Sequence, residues 1–282
     1  MWNWQGLDSH KQRVLTGLLI GVPLTAILAA GPYWSWYLLV GIASAVGLGE
    51  YDALVFRDEL PLPWLAPHIA GALLIPLGAT LGGTSGLHLV LIAGLFAGFF
   101  CLLLFSPGDP AGIDRLAKLI LGWLYVPYLL SYVMLIGEFN AARAWLFFIF
   151  SVVIAADAGA YYCGRQFGRH KLYEQVSPKK TIEGAVGGLA ASMIVGTIFS
   201  RLFLEEAPMG AMFVMSGCLA VVSQVGDLVE SMIKRMNGRK DSSRLLPGHG
   251  GLLDRLDSLL FVFPAAWFFL MWLKRTASQV IL

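Results

Sequence analysis

Long, mostly apolar runs recur along this chain, and they constrain its fold more than any other feature. Of the 282 residues, 57% are hydrophobic and only 13% are charged, against about 25% charged residues in ordinary globular proteins. About 20 apolar residues cross a bilayer as a helix, and inside lipid the backbone must satisfy its own polar groups. The residues do not alternate as in the strands of a membrane barrel. We therefore predict an all-α, polytopic integral membrane protein with about nine transmembrane helices, over residues 14–30, 34–48, 65–81, 87–105, 116–136, 144–162, 185–203, 209–225 and 259–273.

The basic residues are distributed unevenly between the two sides of this topology. If the N-terminus is cytoplasmic, 16 of the 20 Lys and Arg residues fall on the cytoplasmic side. An excess of Lys and Arg marks the cytoplasmic segments of membrane proteins. The sequence therefore predicts a cytoplasmic N-terminus and a C-terminus on the opposite side.

Polar chemistry is concentrated in the second half of the chain. The stretch Ser231–Asp257 carries nine charged residues between two apolar runs, whereas the first five predicted helices contribute little beyond Glu50 and Asp52. We expect residues 1–140 to form a transmembrane scaffold of about five helices. Residues 141–282 then form the candidate catalytic region, with cytoplasmic loops at 163–184 and 231–257.

Glycines predict two local features. The sequence GGTSG at Gly82–Gly86 is typical of a tight turn. Pairs of glycines spaced four residues apart, at Gly94 and Gly98 and at Gly184 and Gly188, permit close approach of helices in lipid.

Three carboxylates lie in or at the edge of apolar helices: Asp157, Asp227 and Asp254. A charge at the centre of a membrane helix costs about 2.5–3.5 kcal/mol, so each of them needs a partner or a water-filled cavity. Each one also belongs to a polar stripe at helical spacing. The stripes are Asp157, Tyr161 and Arg165; Ser223, Asp227, Glu230, Ser231 and Lys234; and Asp254, Asp257 and Ser258. Together they predict a carboxylate-lined cavity near the cytoplasmic surface.

The surrounding residue types indicate which ligand such a cavity would suit. Hard carboxylate oxygens favour Mg²⁺ over zinc. Carboxylates among many cations are typical of a site for a metal-bound polyphosphate, although a basic anchor at an anionic leaflet would explain the same cations. The run Gly248–Gly251 lets the backbone approach a ligand, next to a helix start that favours an anion. The cations are Lys179, Lys180, Lys234, Arg235, Arg239, Lys240, Arg244 and Arg255.

The charged stretch SMIKRMNGRKDSSRLLPGHGGLLDRLD (Ser231–Asp257) resembles the signature of phosphatidate cytidylyltransferases, the CDP-diacylglycerol synthases. Its Ser, Lys-Arg, Lys-Asp, His-Gly-Gly and Asp-Arg-x-Asp elements have the spacing of that family. Asp157–Tyr161 (DAGAY) and Ser177–Thr181 (SPKKT), the latter followed by Glu183-Gly184, resemble two further family motifs. One departure is Ala158, where the family often has Ser or Thr, so this chain has no side-chain hydroxyl at the position after Asp157.

The resemblance implies transfer of the CMP moiety of CTP to phosphatidate, which gives CDP-diacylglycerol and pyrophosphate in phospholipid biosynthesis. It implies a multi-pass protein of the bacterial cell inner membrane with its active site on the cytoplasmic side. It also implies a requirement for Mg²⁺, as one or two divalent ions or as one with a monovalent cation. The expected partners are CTP, phosphatidate and membrane lipid; no nucleic acid is expected, and a homodimer remains open.

The residues to which the resemblance assigns roles fall into two groups. Asp227 and Asp254 correspond to the metal-binding carboxylates, and with Lys240 they are the candidate catalytic residues. The candidate substrate-binding residues are Asp157, Ser177, Lys179, Lys180, Thr181, Ser231, Lys234, Arg235, Asp241, His249, Gly250, Gly251, Arg255 and Asp257. Which loop binds the nucleotide and which binds the lipid remains open.

Two alternative functions remain at this point. A related enzyme could use CTP on another lipid phosphate. Intramembrane acids are also a mark of ion-coupled transporters, but those usually show inverted repeats and charges at the membrane midplane. This sequence shows neither feature.

Overall fold

The computed structural model describes residues 9–56 and 60–276, and it is predominantly helical. The helices are α1 (Ser9–Ala30), α2 (Tyr33–Val55), α3 (Leu62–Phe105), α4 (Ala111–Trp123), α5 (Tyr132–Ile136), α6 (Ala142–Phe167), α7 (Ile182–Phe203), α8 (Met209–Met236) and α9 (Leu253–Thr276). A π-helical segment (Leu124–Tyr128) follows α4, and two short strands, β1 (Lys171–Tyr173) and β2 (Ser177–Thr181), lie between α6 and α7. The predicted all-α, polytopic fold class is confirmed.

The described residues include seven helical segments that are long and apolar enough to cross a membrane, and a shorter apolar helix over Leu15–Ala30. The nine predicted runs all fall within helical segments. Two of them share the 42-residue segment Trp64–Phe105, which exceeds the length that one crossing needs. The count of nine and the cytoplasmic N-terminus stay predictions, and residues 1–8 lie outside the described part of the chain.

The long helix α3 is a helical hairpin. Its backbone leaves helical geometry at Gly82 and Gly83, where Gly83 adopts φ 56° and ψ −143°. A Cβ atom at Gly78 would lie 2.6 Å from the carbonyl oxygen of Gly86, so the two halves of α3 meet closely beside the turn. The predicted turn at Gly82–Gly86 is therefore present.

The two halves of α3 enclose Trp123 of α4, whose side chain is 1% exposed. Gly71 and Gly94, one from each half, both face the indole ring. The indole N–H donates to the backbone carbonyl of His68 at 3.2 Å. A large ring thus fills the space that two glycines leave, which explains the glycines in otherwise bulky apolar helices.

Contacts between Cα atoms divide the chain into two units. The first comprises residues 1–134 and 237–256, and the second comprises residues 135–236 and 257–282. The loop between α8 and α9 thus belongs by its contacts to the unit that contains α1 to α4. The predicted functional division at residue 140 stays a prediction.

In the second unit, α6 and α7 approach each other through glycines. Cβ atoms at Gly184 and Gly188 would lie 2.8 Å from the Ala160 carbonyl oxygen and 2.6 Å from that of Ala156. This is the close approach that the spacing of Gly184 and Gly188 predicts. It holds the C-terminal end of α6 and the N-terminal end of α7 next to the strands that join them.

Strands β1 and β2 form an antiparallel hairpin with Lys171 opposite Thr181 and Tyr173 opposite Ser177. The sequence does not predict this hairpin, because its polar residues lack the alternation of a half-buried strand. The hairpin places the predicted segment Ser177–Thr181 immediately before α7.

We predict that Gly71→Ala destabilises the protein by about 1–3 kcal/mol, because the new methyl group would overlap the buried indole of Trp123. Gly49→Ala in α2 is the matched control, since a Cβ atom there meets nothing within 4 Å. Thermal unfolding in detergent measures both variants. Gly49→Ala should unfold at or slightly above the wild-type temperature; an unchanged midpoint for Gly71→Ala would contradict this packing.

Candidate functional site

A cavity of about 450 Å³ lies in the second unit. The residues that line it lie far apart in the sequence, and they include members of the Asp157 and Asp227 stripes and of the Ser177–Thr181 segment. They come from α6, both strands, α7 and α8, and are Asp157, Ala160, Tyr161, Gly164, Arg165, Leu172, Lys179, Lys180, Thr181, Gly184, Ala185, Gln224 and Asp227. The predicted stripe of Asp157, Tyr161 and Arg165 thus faces one space, as its helical spacing requires.

The central polar contact of this cavity is an ion pair between β2 and α8. The Lys180 ammonium lies 2.7 Å from Asp227 Oδ2, and both side chains are partly exposed. The Ser231 hydroxyl, one turn further along α8, donates to Asp227 Oδ1 at 3.3 Å. Asp227 is therefore compensated by a side-chain cation and a hydroxyl, both from predicted site residues.

Backbone packing positions this part of α8. Gly226 lies against α9, where a Cβ atom would come within 2.7 Å of the Asp257 carbonyl oxygen. On the other side, the Gln224 side-chain amide donates to the Ala185 carbonyl of α7 at 3.1 Å. These contacts also bring the mostly buried Asp257 within electrostatic range of Asp227, Lys234 and Asp157.

Two predicted phosphate-binding cations on α8 have protein partners. Lys234 forms an ion pair with Glu230, one turn earlier, and the Glu230 side chain is 1% exposed. The Arg235 guanidinium Nε donates to the Val176 carbonyl at 3.5 Å, just before β2. The Glu230–Lys234 pair is the i, i+4 arrangement of their shared stripe, and it keeps a buried carboxylate compensated.

Thr181 connects the hairpin to α7. Its side-chain oxygen accepts the N–H of Gly184 at 3.1 Å, so it caps the first turn of the helix. Glu183 in that turn accepts the N–H groups of Arg169 and His170, which follow α6. The C-terminal end of the Ser177–Gly184 segment is thus held by side-chain contacts.

The first unit contains the other predicted carboxylate, Asp254, at the start of α9. Asp254 Oδ2 accepts the N–H groups of Ser242 and Gly251 at 2.9 Å and 2.8 Å, and it lies 3.0 Å from the Ser242 hydroxyl oxygen. Gly250 has φ 82°, and a Cβ atom there would lie 2.6 Å from Asp254 Oδ2. The glycines of this segment therefore allow the backbone to wrap around the Asp254 carboxylate.

The same segment contacts a residue that the sequence assigns to the scaffold. The Glu50 carboxylate of α2 is buried and accepts hydrogen bonds from residues about 200 positions later. The signal that points to Glu50 is its position at the end of an apolar run, where a carboxylate needs a partner. The partner itself depends on tertiary packing and has no sequence signature.

The remaining predicted residues of the first unit lie on the loop before α9 or at the helix start. Lys240 and Asp241 are exposed. The Arg255 guanidinium Nε donates to the His249 carbonyl at 3.1 Å. Within residues 9–56 and 60–276, no three His, Cys, Asp or Glu side chains form a group that could hold a metal ion.

Comparison with known proteins adds independent information. A model of the cytidylyltransferase family matches residues 11–273 of the chain. The phosphatidate cytidylyltransferase of Bacillus subtilis (strain 168) is 31% identical over 269 residues, which covers 92% of this chain and 97% of that protein. The phosphatidate cytidylyltransferase of Mycobacterium bovis is 33% identical over 272 residues, covering 91% and 87%. That of Staphylococcus saprophyticus is 47% identical over 120 residues, covering 43% and 46%.

We predict that Thr181→Val destabilises the protein by about 1 kcal/mol, because valine cannot accept the Gly184 N–H at the start of α7. Thr181→Ser is the matched control, since it keeps the capping oxygen and should recover most of the stability. The midpoint of thermal unfolding in detergent compares the two. Equal midpoints for the valine and serine variants would show that the cap contributes nothing.

Proposed function

The chain belongs to the cytidylyltransferase family, and from this premise we propose that it is a phosphatidate cytidylyltransferase, which transfers the CMP moiety of CTP to phosphatidate and releases pyrophosphate. The relatives with that name align with nearly the whole chain. The observation that carries the proposal is the cavity of the second unit. Residues from three separated polar motifs, Asp157, Lys179–Thr181 and Asp227, line that one space.

The charges of this cavity suit phosphate groups. Arg165, Lys179 and Lys180 supply three cations, and Asp157 and Asp227 supply two carboxylates. Cations bind phosphate oxygens through charge-assisted hydrogen bonds. The lipid phosphate monoester is largely ionised at neutral pH, so its oxygen can attack the α-phosphorus of CTP without a strong general base. The cavity residues would then position and neutralise phosphates rather than remove a proton.

We propose that Mg²⁺ takes part, with Asp227 and Asp254 as the carboxylates that hold it. Asp227 fits this role, because it brings hard oxygens to the cavity beside Asp157, and Mg²⁺ in nucleotide enzymes usually takes one or two carboxylates together with substrate phosphates. Asp254 belongs to the first unit, and its role comes from the family resemblance alone. Bound Mg²⁺ would neutralise charge on the pyrophosphate leaving group. One or two divalent ions, or one with a monovalent cation, agree with this donor set.

The setting of the reaction follows from the same premise. We propose a multi-pass protein of the bacterial inner membrane, because the described helices include seven candidate spans and the basic residues are biased to one side. The proposed active site then faces the cytoplasm, where CTP is available, and membrane lipid supplies phosphatidate. Lys240 and the other predicted substrate-binding residues remain part of this proposal. The proposal also includes a homodimer, and it involves no nucleic acid.

We predict that the purified protein in detergent forms CDP-diacylglycerol from CTP and phosphatidate only when Mg²⁺ or a similar divalent ion is present. The assay should run across a panel of lipid phosphates, including an isoprenoid ether lipid phosphate, with a chelator in parallel. Phosphatidate should be the best acceptor, and chelation should abolish turnover.

Each failure of this assay has a separate meaning. Full activity after chelation would refute the metal proposal alone. Preference for another lipid phosphate would keep the CTP chemistry and change the substrate. No CTP turnover, together with ion flux in sealed vesicles, would support a transporter instead.

We predict that Asp227→Asn and Asp254→Asn each lower turnover by about a hundredfold or more, because each removes a charge that the reaction would use. Asparagine keeps one oxygen that accepts hydrogen bonds, so folding should be retained. Asp114→Asn is the matched control, since Asp114 lies on α4 with a side chain that is 62% exposed. The measurements are the CTP assay and gel filtration. A folded variant with wild-type turnover would show that its carboxylate is structural.

A further inference from the structure

Glu50 of α2 accepts four hydrogen bonds from one segment of the first unit, Ser242–Leu253. Its Oε1 accepts the Ser243 hydroxyl at 2.6 Å and the Leu252 N–H at 2.9 Å. Its Oε2 accepts the Leu253 N–H at 2.7 Å and the Ser242 hydroxyl at 3.0 Å. The residue is 6% exposed. Every one of these donors therefore comes from the loop between α8 and α9 or from the start of α9.

These contacts place a carboxylate at the N-terminus of α9, a helix of 24 residues. The first N–H groups of a helix have no partner within the helix, and its N-terminal dipole favours a negative charge. Glu50 supplies that charge from a different helix of the same unit. Its burial is tolerated because fixed donors replace the water that it loses.

Ser242 connects Glu50 to Asp254. The Ser242 hydroxyl lies 3.0 Å from both Glu50 Oε2 and Asp254 Oδ2. A Cβ atom at Gly251 would overlap the Ser242 hydroxyl and the Glu50 carboxylate, so only glycine permits this arrangement. One hydroxyl thus touches both carboxylates, and a displacement of either one moves a group that contacts the other.

We propose that Glu50 is a positioning residue for the reaction: it holds Ser242–Leu253 in one conformation and thereby orients the Asp254 carboxylate. It acts through the loop and touches no substrate. The effect on turnover rests on the function proposed above, whereas the effect on the loop does not. The region that the sequence assigns to the scaffold then has a direct part in shaping the site.

The test uses Glu50→Gln in the full-length protein. Glutamine has the same size but only one acceptor oxygen, and its NH₂ group would face N–H donors. Hydrogen–deuterium exchange should show faster exchange of the Leu252 and Leu253 amides by about tenfold or more, while the middle of α9 stays protected. This measurement needs no substrate and no metal ion.

The CTP assay is the second measurement. If Asp254 loses its orientation, kcat should fall about tenfold and the Mg²⁺ concentration for half-maximal turnover should rise about tenfold. A smaller amount of folded protein would lower apparent kcat but would leave the Mg²⁺ dependence unchanged. Glu138→Gln is the matched control, since Glu138 is an exposed glutamate between α5 and α6, and it should change neither measurement.

Ser243→Ala gives a second route to the same conclusion should Glu50→Gln fold poorly. The Ser243 hydroxyl donates to Glu50 and accepts the Leu245 N–H, and no contact joins it to Asp254 in the described structure. Its effect on the Mg²⁺ dependence should combine non-additively with that of Glu50→Gln, because the two side chains share one hydrogen bond; fully additive effects would show that the Ser243 effect passes through Leu245 instead.

The outcomes are separable. Unchanged exchange in Glu50→Gln would refute the anchoring role. Faster exchange with unchanged kcat and Mg²⁺ dependence would make Glu50 a helix cap with no part in the reaction. A wild-type protein without CTP turnover would refute the proposed function, while the exchange experiment would still decide whether Glu50 holds the loop.

Discussion

A carboxylate among apolar helices must be compensated, and this requirement determines where the chain places its polar groups. Charges at membrane depth cost several kcal/mol unless donors or cations surround them. The structure uses three kinds of compensation: backbone N–H groups and hydroxyls, a histidine, and lysines. The pairs are Glu50 with the α9 start, Asp52 with His68, Asp227 with Lys180 and Glu230 with Lys234. The first three link separate elements of the chain, whereas Glu230 and Lys234 lie one turn apart on α8.

Glycine is what makes this compensation geometrically possible. Backbone groups reach a carboxylate only where no side chain intervenes, as at Gly250 and Gly251 around Asp254 and Glu50. At Gly226 the missing side chain lets α8 approach α9 beside Asp227. At Gly184 and Gly188 it brings α7 against α6. The glycines therefore decide how closely polar residues on separate elements can meet.

The sequence predicts the local part of this arrangement and not the distant part. Apolar run length predicts the helices, and helical spacing predicts the face that Asp157 presents to the cavity, because both depend on neighbouring residues. The β-hairpin at Lys171–Thr181 is missed, since three to five polar residues carry no strand pattern. The partner of Glu50 is missed as well, because a contact across about 200 residues results from packing of the whole unit. The family resemblance predicts roles for Ser177–Thr181 and Ser231–Asp257, which stay predictions, and it says nothing of Glu50.

The type of compensation separates the roles of the two carboxylates predicted to bind metal. Asp254 is held by two backbone N–H groups, which cannot leave without unfolding the loop, so its position is fixed by the fold. Asp227 is held by the Lys180 ammonium, at the end of a flexible four-carbon stem that also lines the cavity. An incoming phosphate can attract that ammonium, because a phosphate carries more charge than a carboxylate. Asp227 is therefore the carboxylate whose partner can move without a change in the backbone, whereas the backbone partners of Asp254 are fixed by the fold.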